Sequence, residues 1–268
     1  MLAYRAGMKL KGKVCVVTGG ANGIGRALCR RFHQAGARAI YVADRDVAGA
    51  AAVAAEIGAS AHAVVADVSK EDDLAALVKR AEAEHGRIDL FVSNAGIAVG
   101  GGPEAPDTEW MRAWNVNLMA HVWAARHALP AMLARGEGYL LSTASAAGLL
   151  TSIGAAPYAV TKHAVVAFAE WLAITYGERG IRVSCLCPLG VKTDMLTQGM
   201  GDVAIKAVLA SGPVLEAEQV AEATVQGIEE ERFLILPHPE VATFVQRRAQ
   251  EHERWLKGMR GVQKKLNL

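Results

Sequence analysis

Apolar residues along the chain gather into short unbroken runs, separated by longer stretches in which they recur at helical spacing. The short runs are Val14–Thr18, Ala39–Ala43, Ala63–Ala66, Leu90–Ser93, Tyr139–Thr143, Val183–Leu186 and Phe233–Leu236. Continuous rather than alternating apolar strands are expected where helices cover both faces of a parallel sheet. Between them, Gly25–Gln34, Val47–Ile57, Leu74–Glu84, Asp107–Leu133 and Pro157–Tyr176 are long enough to serve as crossover helices. The alternation predicts an α/β fold with a doubly wound, seven-stranded, mostly parallel sheet and helices on both faces.

No linker-like composition break or repeat divides the chain, so residues 1–268 are expected to form a single domain. The regular alternation stops after the sixth strand. The connection Pro188–Pro213, carrying Met195, Leu196, Met200, Val203, Ile205, Val208 and Leu209, is long for a compact domain and reads as a substrate lid over about 188–215. A charged, helix-favouring tail at about 240–265, with Trp255, Leu256 and Met259 among its apolar positions, reads as a helix packed on the body or on a second subunit.

Composition narrows the functional classes. With 29 basic and 27 acidic residues the net charge is +2, which argues against a nucleic-acid partner. At 52% apolar and 21% charged residues the chain is globular rather than disordered. Tyr139–Thr161 is uncharged over a membrane-spanning length, but its Ser, Thr, Gly and Pro content marks it as turn-rich interior, so no membrane partner is expected. Met1–Met8 lacks the apolar run of a secretory signal, and a cytoplasmic location is expected. Cys15, Cys29, Cys185 and Cys187 share no metal-ligand spacing with a histidine; they read as reduced core thiols, with Cys185 and Cys187 facing one side of a strand, and no metal is expected.

The first strand runs straight into Thr18-Gly19-Gly20-Ala21-Asn22-Gly23-Ile24-Gly25, followed at once by a helix. Glycines at such a turn let the backbone approach a pyrophosphate, whose charge suits the free N–H groups of the helix start. Nineteen residues after Gly25, Asp44 ends the second strand, where a carboxylate can bind both hydroxyls of an adenosine ribose and repel a 2′-phosphate. Arg45 follows and is suited to gripping that phosphate instead; the balance favours NAD over NADP. Asp67-Val68 closes the third strand and Asn94-Ala95-Gly96 the fourth, at the carboxyl edge where such Rossmann-type sheets bind ligands, although each also suits a turn or cap.

Tyr158 and Lys162 stand four residues apart near a helix start and so share a face. An ammonium beside a phenol favours the phenolate, and the spacing predicts a Tyr158 pKa lowered toward the working pH. Ser145, at the end of the fifth strand, offers a neutral hydroxyl to hold a substrate oxygen. Taken alone, a tyrosine and lysine at this spacing are a common accident of helices; the ordered conjunction with the glycine loop, the acid and Ser145 is not.

In this order and spacing the chain resembles the short-chain dehydrogenase/reductase family in its common form of about 250 residues. TGxxxGxG appears as Thr18–Gly25, NAG as Asn94–Gly96, the strand serine as Ser145 and YxxxK as Tyr158–Lys162. The resemblance implies catalytic roles for Asn117, Ser145, Tyr158 and Lys162. Asn117, in Val116-Asn117-Leu118, would support a water-linked proton path from Lys162, and nearby Asn115 is a decoy. It further implies that Gly19, Asn22, Gly23, Ile24, Gly25, Ala95 and Gly96 bind the cofactor, that Asp67 and Val68 flank the adenine, that Asn94 stabilises the centre of its site, and that Lys162 binds the nicotinamide ribose. The nicotinamide-contacting PGxVxT segment maps onto Pro188, Val191 and Thr193, with Leu189 in place of the usual glycine.

The expected activity is NAD(P)-dependent hydride transfer between a nicotinamide and a secondary alcohol or ketone, with NAD preferred. A non-catalytic dinucleotide sensor or scaffold is the alternative; an extended-branch epimerase or dehydratase fits less well, since its glycine motif and longer substrate domain are missing. The Met- and Leu-bearing lid predicts a mostly apolar substrate, and Gly100, Gly101 and Gly102 predict a movable opposite wall. Trp110, Met111, Trp114, His121 and Trp123 read mostly as core or subunit contact, and the resemblance implies a homodimer or homotetramer built through the Asp107 and Tyr158 helices.

Overall fold

The seven apolar runs become strands of one sheet in a computed structural model that describes residues 7–199 and 201–266. The strands are β1 (Val14–Thr18), β2 (Ala39–Asp44), β3 (Ala61–Val65), β4 (Leu90–Ser93), β5 (Gly138–Thr143), β6 (Ile181–Leu186) and, after a small separate pair β7 (Gly190–Val191) and β8 (Val214–Leu215), β9 (Leu234–Ile235). The order is β3-β2-β1-β4-β5-β6-β9, and every paired neighbour is parallel, for example Val14 with Ala39 and Leu90 with Tyr139. The chain is a single doubly wound Rossmann-type domain.

Both faces of the sheet are covered, which is why its strands need no polar face. Val14, Val16 and Tyr41 point into a core shared with α3 (Glu71–His85), α5 (Ala120–Arg135) and α6 (Ala156–Tyr176). The alternate residues Cys15, Val17, Ile40 and Val42 enter the opposite core with α1 (Gly23–Gln34), α2 (Val47–Ile57) and α8 (Ala217–Glu229). All four cysteines are buried free thiols, and Cys185 and Cys187 lie on one face with their sulfurs 3.7 Å apart.

The long Asp107–Leu133 helix is interrupted. It divides into α4 (Asp107–Trp114) and α5, joined by one wide π turn, Asn115–Met119, that contains Asn117. Such turns interrupt the regular hydrogen-bond ladder and are frequent at functional positions. The connection after β6 is structured: it holds β7, a π turn at Met195–Gly199, α7 (Gly201–Leu209) and β8. Met200 of the expected lid lies outside the described residues. The tail forms two helices, α9 (Glu240–Gln250) and α10 (His252–Lys265), and α10 has no buried residue.

No helix among the described residues is long and apolar enough to cross a membrane, and none of them form a cluster fit to hold a metal ion.

Candidate active site

The strand order reverses between β1 and β4, so their outgoing loops part there and leave a crevice at the carboxyl edge of the sheet. One wall is the turn from β1 into α1. Asn22 caps α1 without a side-chain hydrogen bond, and no acidic residue lies in the first turn, so the N–H groups of Gly23, Ile24 and Gly25 face outward without local neutralisation. Gly19 has φ +66°, and a Cβ there would stand 2.8 Å from Ala95 Cα. A Cβ on Gly25 would lie 1.9 Å from the Gly19 carbonyl oxygen, so Gly25 lets helix and loop pack together and does not itself line the crevice.

Asp44 lines the same crevice at the tip of β2. Its Oδ2 accepts from the Ala21 N–H at 3.1 Å and its Oδ1 from the Asp46 N–H at 3.0 Å, which fixes the carboxylate beside the glycine turn. Arg45 is exposed and lies outside the crevice lining. Asp67 and Val68 also lie outside it. The Asp67 carboxylate is turned onto Ser69, whose hydroxyl at 2.7 Å holds its pKa below the usual range, while Val68 is buried in the core.

Asn94 staples three strand ends together. Its Nδ2 donates to the carbonyls of Thr18 at 3.0 Å and Gly19 at 3.3 Å, and its Oδ1 accepts from Thr143 Oγ1 at 3.3 Å. Thr18 Oγ1 in turn accepts from the Asn94 and Ala95 N–H groups. Thr18 and Thr143 thereby shape the site by contacts between distant strand ends, for which sequence spacing holds no signal. Ala95 and Gly96 line the crevice next to this staple.

The opposite wall carries Ser145, Tyr158 and Lys162. Ser145 follows β5, and its Oγ accepts from the Ala147 N–H at 3.1 Å and donates to the Pro188 carbonyl at 3.5 Å. Tyr158 and Lys162 leave the first turns of α6 on one face, with Lys162 Nζ 5.8 Å from the centre of the Tyr158 ring. The ammonium donates to the Thr143 carbonyl at 2.9 Å.

The expected lowering of the Tyr158 pKa is not found in the chain alone. Burial pushes the phenol up, only partly opposed by the Ser145 hydroxyl, and Lys162 is not among the influences on it. Burial also weakens the lysine as a cation, pushing it down to about 8. Desolvation disfavours the charged form of both groups and is the leading cause at each.

Asn117 is fully buried and does not line the crevice. Its Oδ1 accepts from the Ile97 N–H at 2.8 Å, and its Nδ2 donates to the Ile97 carbonyl at 2.9 Å and to Thr161 Oγ1 at 3.2 Å. The side chain thus fixes the strand exit behind Gly96, where a notional Cβ would meet both Asn117 Oδ1, at 3.3 Å, and Lys162 Nζ, at 3.4 Å. One helical turn on, His121 is buried with neither ring nitrogen partnered among the described residues; burial, with Lys162 nearby, pushes its pKa down to about 3, so it is neutral.

Pro188, Leu189, Val191 and Thr193 complete the wall. Leu196 and Ala204 from the connection pack with Ala147 and Tyr158 in a small apolar cluster, and Leu150, Met195 and Val208 face the crevice. Gly100, Gly101 and Gly102, expected to form the opposite wall, lie outside the crevice lining; Gly101 donates to the Gly154 carbonyl at 2.9 Å and accepts from the Ala156 N–H at 2.8 Å.

The residues present fit a dinucleotide. Outward-facing N–H groups, two glycines whose place is set by close approach, and a fixed carboxylate lie along one wall, with a buried phenol, hydroxyl and amine along the other.

Comparison with known proteins gives the same answer. The sequence profile described as short chain dehydrogenase matches residues 13–202. Momilactone A synthase of Oryza sativa subsp. japonica is 37% identical over 230 residues, 80% of this chain and 82% of that protein. (+)-Borneol dehydrogenase 1 of Salvia officinalis is 33% identical over 227 residues, 80% of this chain and 86% of that protein. The crystal structure of a short chain dehydrogenase/reductase from Burkholderia phymatum in complex with NAD superposes with a TM-score of 0.84 at 30% identity, covering 92% of this chain and 96% of that one. Fold, motif order and these matches agree: the chain belongs to the short-chain dehydrogenase/reductase family of oxidoreductases.

Proposed function

We propose that the chain is an NAD-preferring oxidoreductase that interconverts a secondary alcohol and a ketone of mostly apolar character. The observation that carries this reading is the convergence of Ser145, Tyr158 and Lys162 on the crevice that also holds the glycine turn and Asp44. Gly19, Asn22, Gly23 and Ile24 would hold the pyrophosphate, Asp44 the adenosine ribose, and Lys162 with Val191 and Thr193 the nicotinamide half. A bound nicotinamide supplies or accepts the hydride. Preference for NAD is supported by the Asp44 carboxylate inside the crevice and Arg45 outside it.

Tyr158 gives a proton to the substrate oxygen in reduction and takes one from it in oxidation. Ser145 holds that oxygen by a neutral hydrogen bond. Lys162 orients the phenol's surroundings from the Thr143 carbonyl, and its charge stabilises the phenolate once the substrate has exchanged its proton. Asn117 positions the backbone beside Lys162, and the reading includes a water-linked proton route from the lysine past it. Leu150, Leu189, Met195, Leu196 and Val208 form an apolar surround, which supports a hydrophobic substrate and a lid role for the connection after β6. A relative named as a borneol dehydrogenase supports an alcohol as one reaction partner. The exposed apolar residues of α4 and α6 support a homodimer or homotetramer, and the reading includes a cytoplasmic location.

The test compares the chain with its Tyr158→Phe variant. Thermal unfolding with NAD, NADH, NADP and NADPH should show the largest rise for NAD or NADH, about 2.7 kcal/mol of added stability at a hundred times the dissociation constant, in both proteins. Turnover of a panel of apolar ketones and alcohols should fall by about 10²–10⁴-fold in the variant. A clear NADP preference overturns the cofactor choice; binding without turnover by the unaltered chain favours the sensor reading.

A further inference from the structure

The backbone that borders Ser145 on its outer side is held by a residue from far along the chain. His238, between β9 and α9, is only 1% exposed. Its Nδ1 accepts from the Leu189 N–H at 3.1 Å, and its Nε2 faces the Gly190 carbonyl at 3.1 Å. With Nδ1 accepting from the Leu189 N–H, Nε2 is the nitrogen left to donate to the Gly190 carbonyl. The imidazole therefore bridges the Leu189 N–H and the Gly190 carbonyl, satisfying a donor and an acceptor one residue apart.

The other side of the same loop rests on the proton-transfer wall. The Pro188 carbonyl accepts from the Ala146 N–H at 2.8 Å and from Ser145 Oγ at 3.5 Å. The loop is thus clamped between Ser145–Ala146 and His238, with the Leu189 side chain turned into the crevice. The same C-terminal segment also meets the far end of the connection, where a Cβ on Gly212 would lie 2.7 Å from Glu240 Oε1 and 3.2 Å from Leu189 Cδ2.

We propose that His238 is a positioning residue for the nicotinamide half of the cofactor site. It fixes the Pro188–Gly190 backbone at the Ser145 end of the crevice and makes a leucine workable at position 189. This rests on the dinucleotide reading above. Both hydrogen bonds are to backbone atoms, so His238 acts on the path of the loop and not on its side chains, and it touches neither the glycine turn nor Asp44.

The experiment separates the two halves of the cofactor by using ADP-ribose, which lacks the nicotinamide. His238→Ala should weaken NADH binding by about ten-fold, the effect of losing one or two neutral hydrogen bonds, and leave ADP-ribose binding within about two-fold. Amide hydrogen exchange at Leu189 should accelerate in the same variant. His238→Asn, which keeps an acceptor for the Leu189 N–H, should lie between the two and provides the measurement if the alanine variant does not fold. Equal weakening of NADH and ADP-ribose, or no change in either, overturns the inference while leaving the cofactor reading intact. Failure of the unaltered chain to bind NADH or ADP-ribose overturns both.

Discussion

Lys162 is the residue at which function and stability oppose each other. A lysine buried to 2% exposure with one backbone acceptor, and a pKa pushed down to about 8, carries its charge at neutral pH at a cost to the fold. The cost has a definite pH dependence. Above the ordinary lysine pKa of 10.5, neither the folded nor the unfolded chain holds the proton. Between 10.5 and 8 the unfolded chain binds it and the folded chain does not, so stability falls as pH falls through this window and the loss is complete below 8. Lys162→Met should therefore raise the unfolding free energy at pH 7 by on the order of 2 kcal/mol and remove this alkaline slope, while turnover is lost. Urea titrations at pH 7 and pH 10 check it; a destabilised variant at pH 7 sinks the argument. The same desolvation explains why the spacing of Tyr158 and Lys162 was legible but their acidity was not: sequence gives the four-residue separation, whereas the pKa depends on how much water the lid and the core leave around them.

Elements were legible where periodicity alone decides them. The seven apolar runs all became strands, the inner ones buried on both faces and the edge strand β3 only partly so, with small shifts such as β3 beginning at Ala61 instead of Ala63. The π turn at Asn115–Met119 was not legible, since one extra residue in a helical turn leaves the apolar pattern nearly unchanged. Helix α8 does carry a local pattern, an apolar spacing through Val220, Ala221, Val225 and Ile228 behind a Glu216–Gln219 capping box, whereas the β7–β8 pair and the His238 clamp depend on tertiary partners more than twenty residues away and carry none. The glycine turn was readable because its constraint is steric. At Gly25 a methyl group would meet the Gly19 carbonyl at 1.9 Å, backbone against backbone, with no flexible side chain to yield. Gly25→Ala should cost about 2 kcal/mol or more in chemical denaturation and abolish NAD binding by calorimetry. A variant with full stability and unaltered binding would show that the turn has slack that this packing denies.

For the whole molecule, the exposed apolar surface of α4 and α6 is where the proposed association of chains is expected to occur. Met111 and Trp114 on α4, and Val160, Trp171 and Ile174 on α6, are all exposed, Ile174 at 82% and Trp171 at 53%. Large apolar side chains gathered on packed neighbouring helices mark an association surface. Light scattering should give at least a dimer, and the double variant Trp171→Glu, Ile174→Glu should shift the mass to that of one chain with the fold retained by circular dichroism. A monomer before substitution, or an unchanged mass after it, removes this surface from consideration. Domain count was legible from the absence of any linker-like composition break, and association was not, because a subunit contact and a solvent-facing hydrophobe look alike in one sequence.

The sheet order has one more consequence, for the timing of synthesis. The glycine turn follows the first strand, but the floor of the crevice is the Asn94 staple, which draws together Thr18, Gly19 and Thr143, and its far wall comes from α6. A nascent chain leaving the ribosome would pair β1 with β2 and β3 early, yet hold no crevice until well over half its length had emerged. Nucleotide capture would then be a late event, available only to chains whose two halves have already wound onto one another.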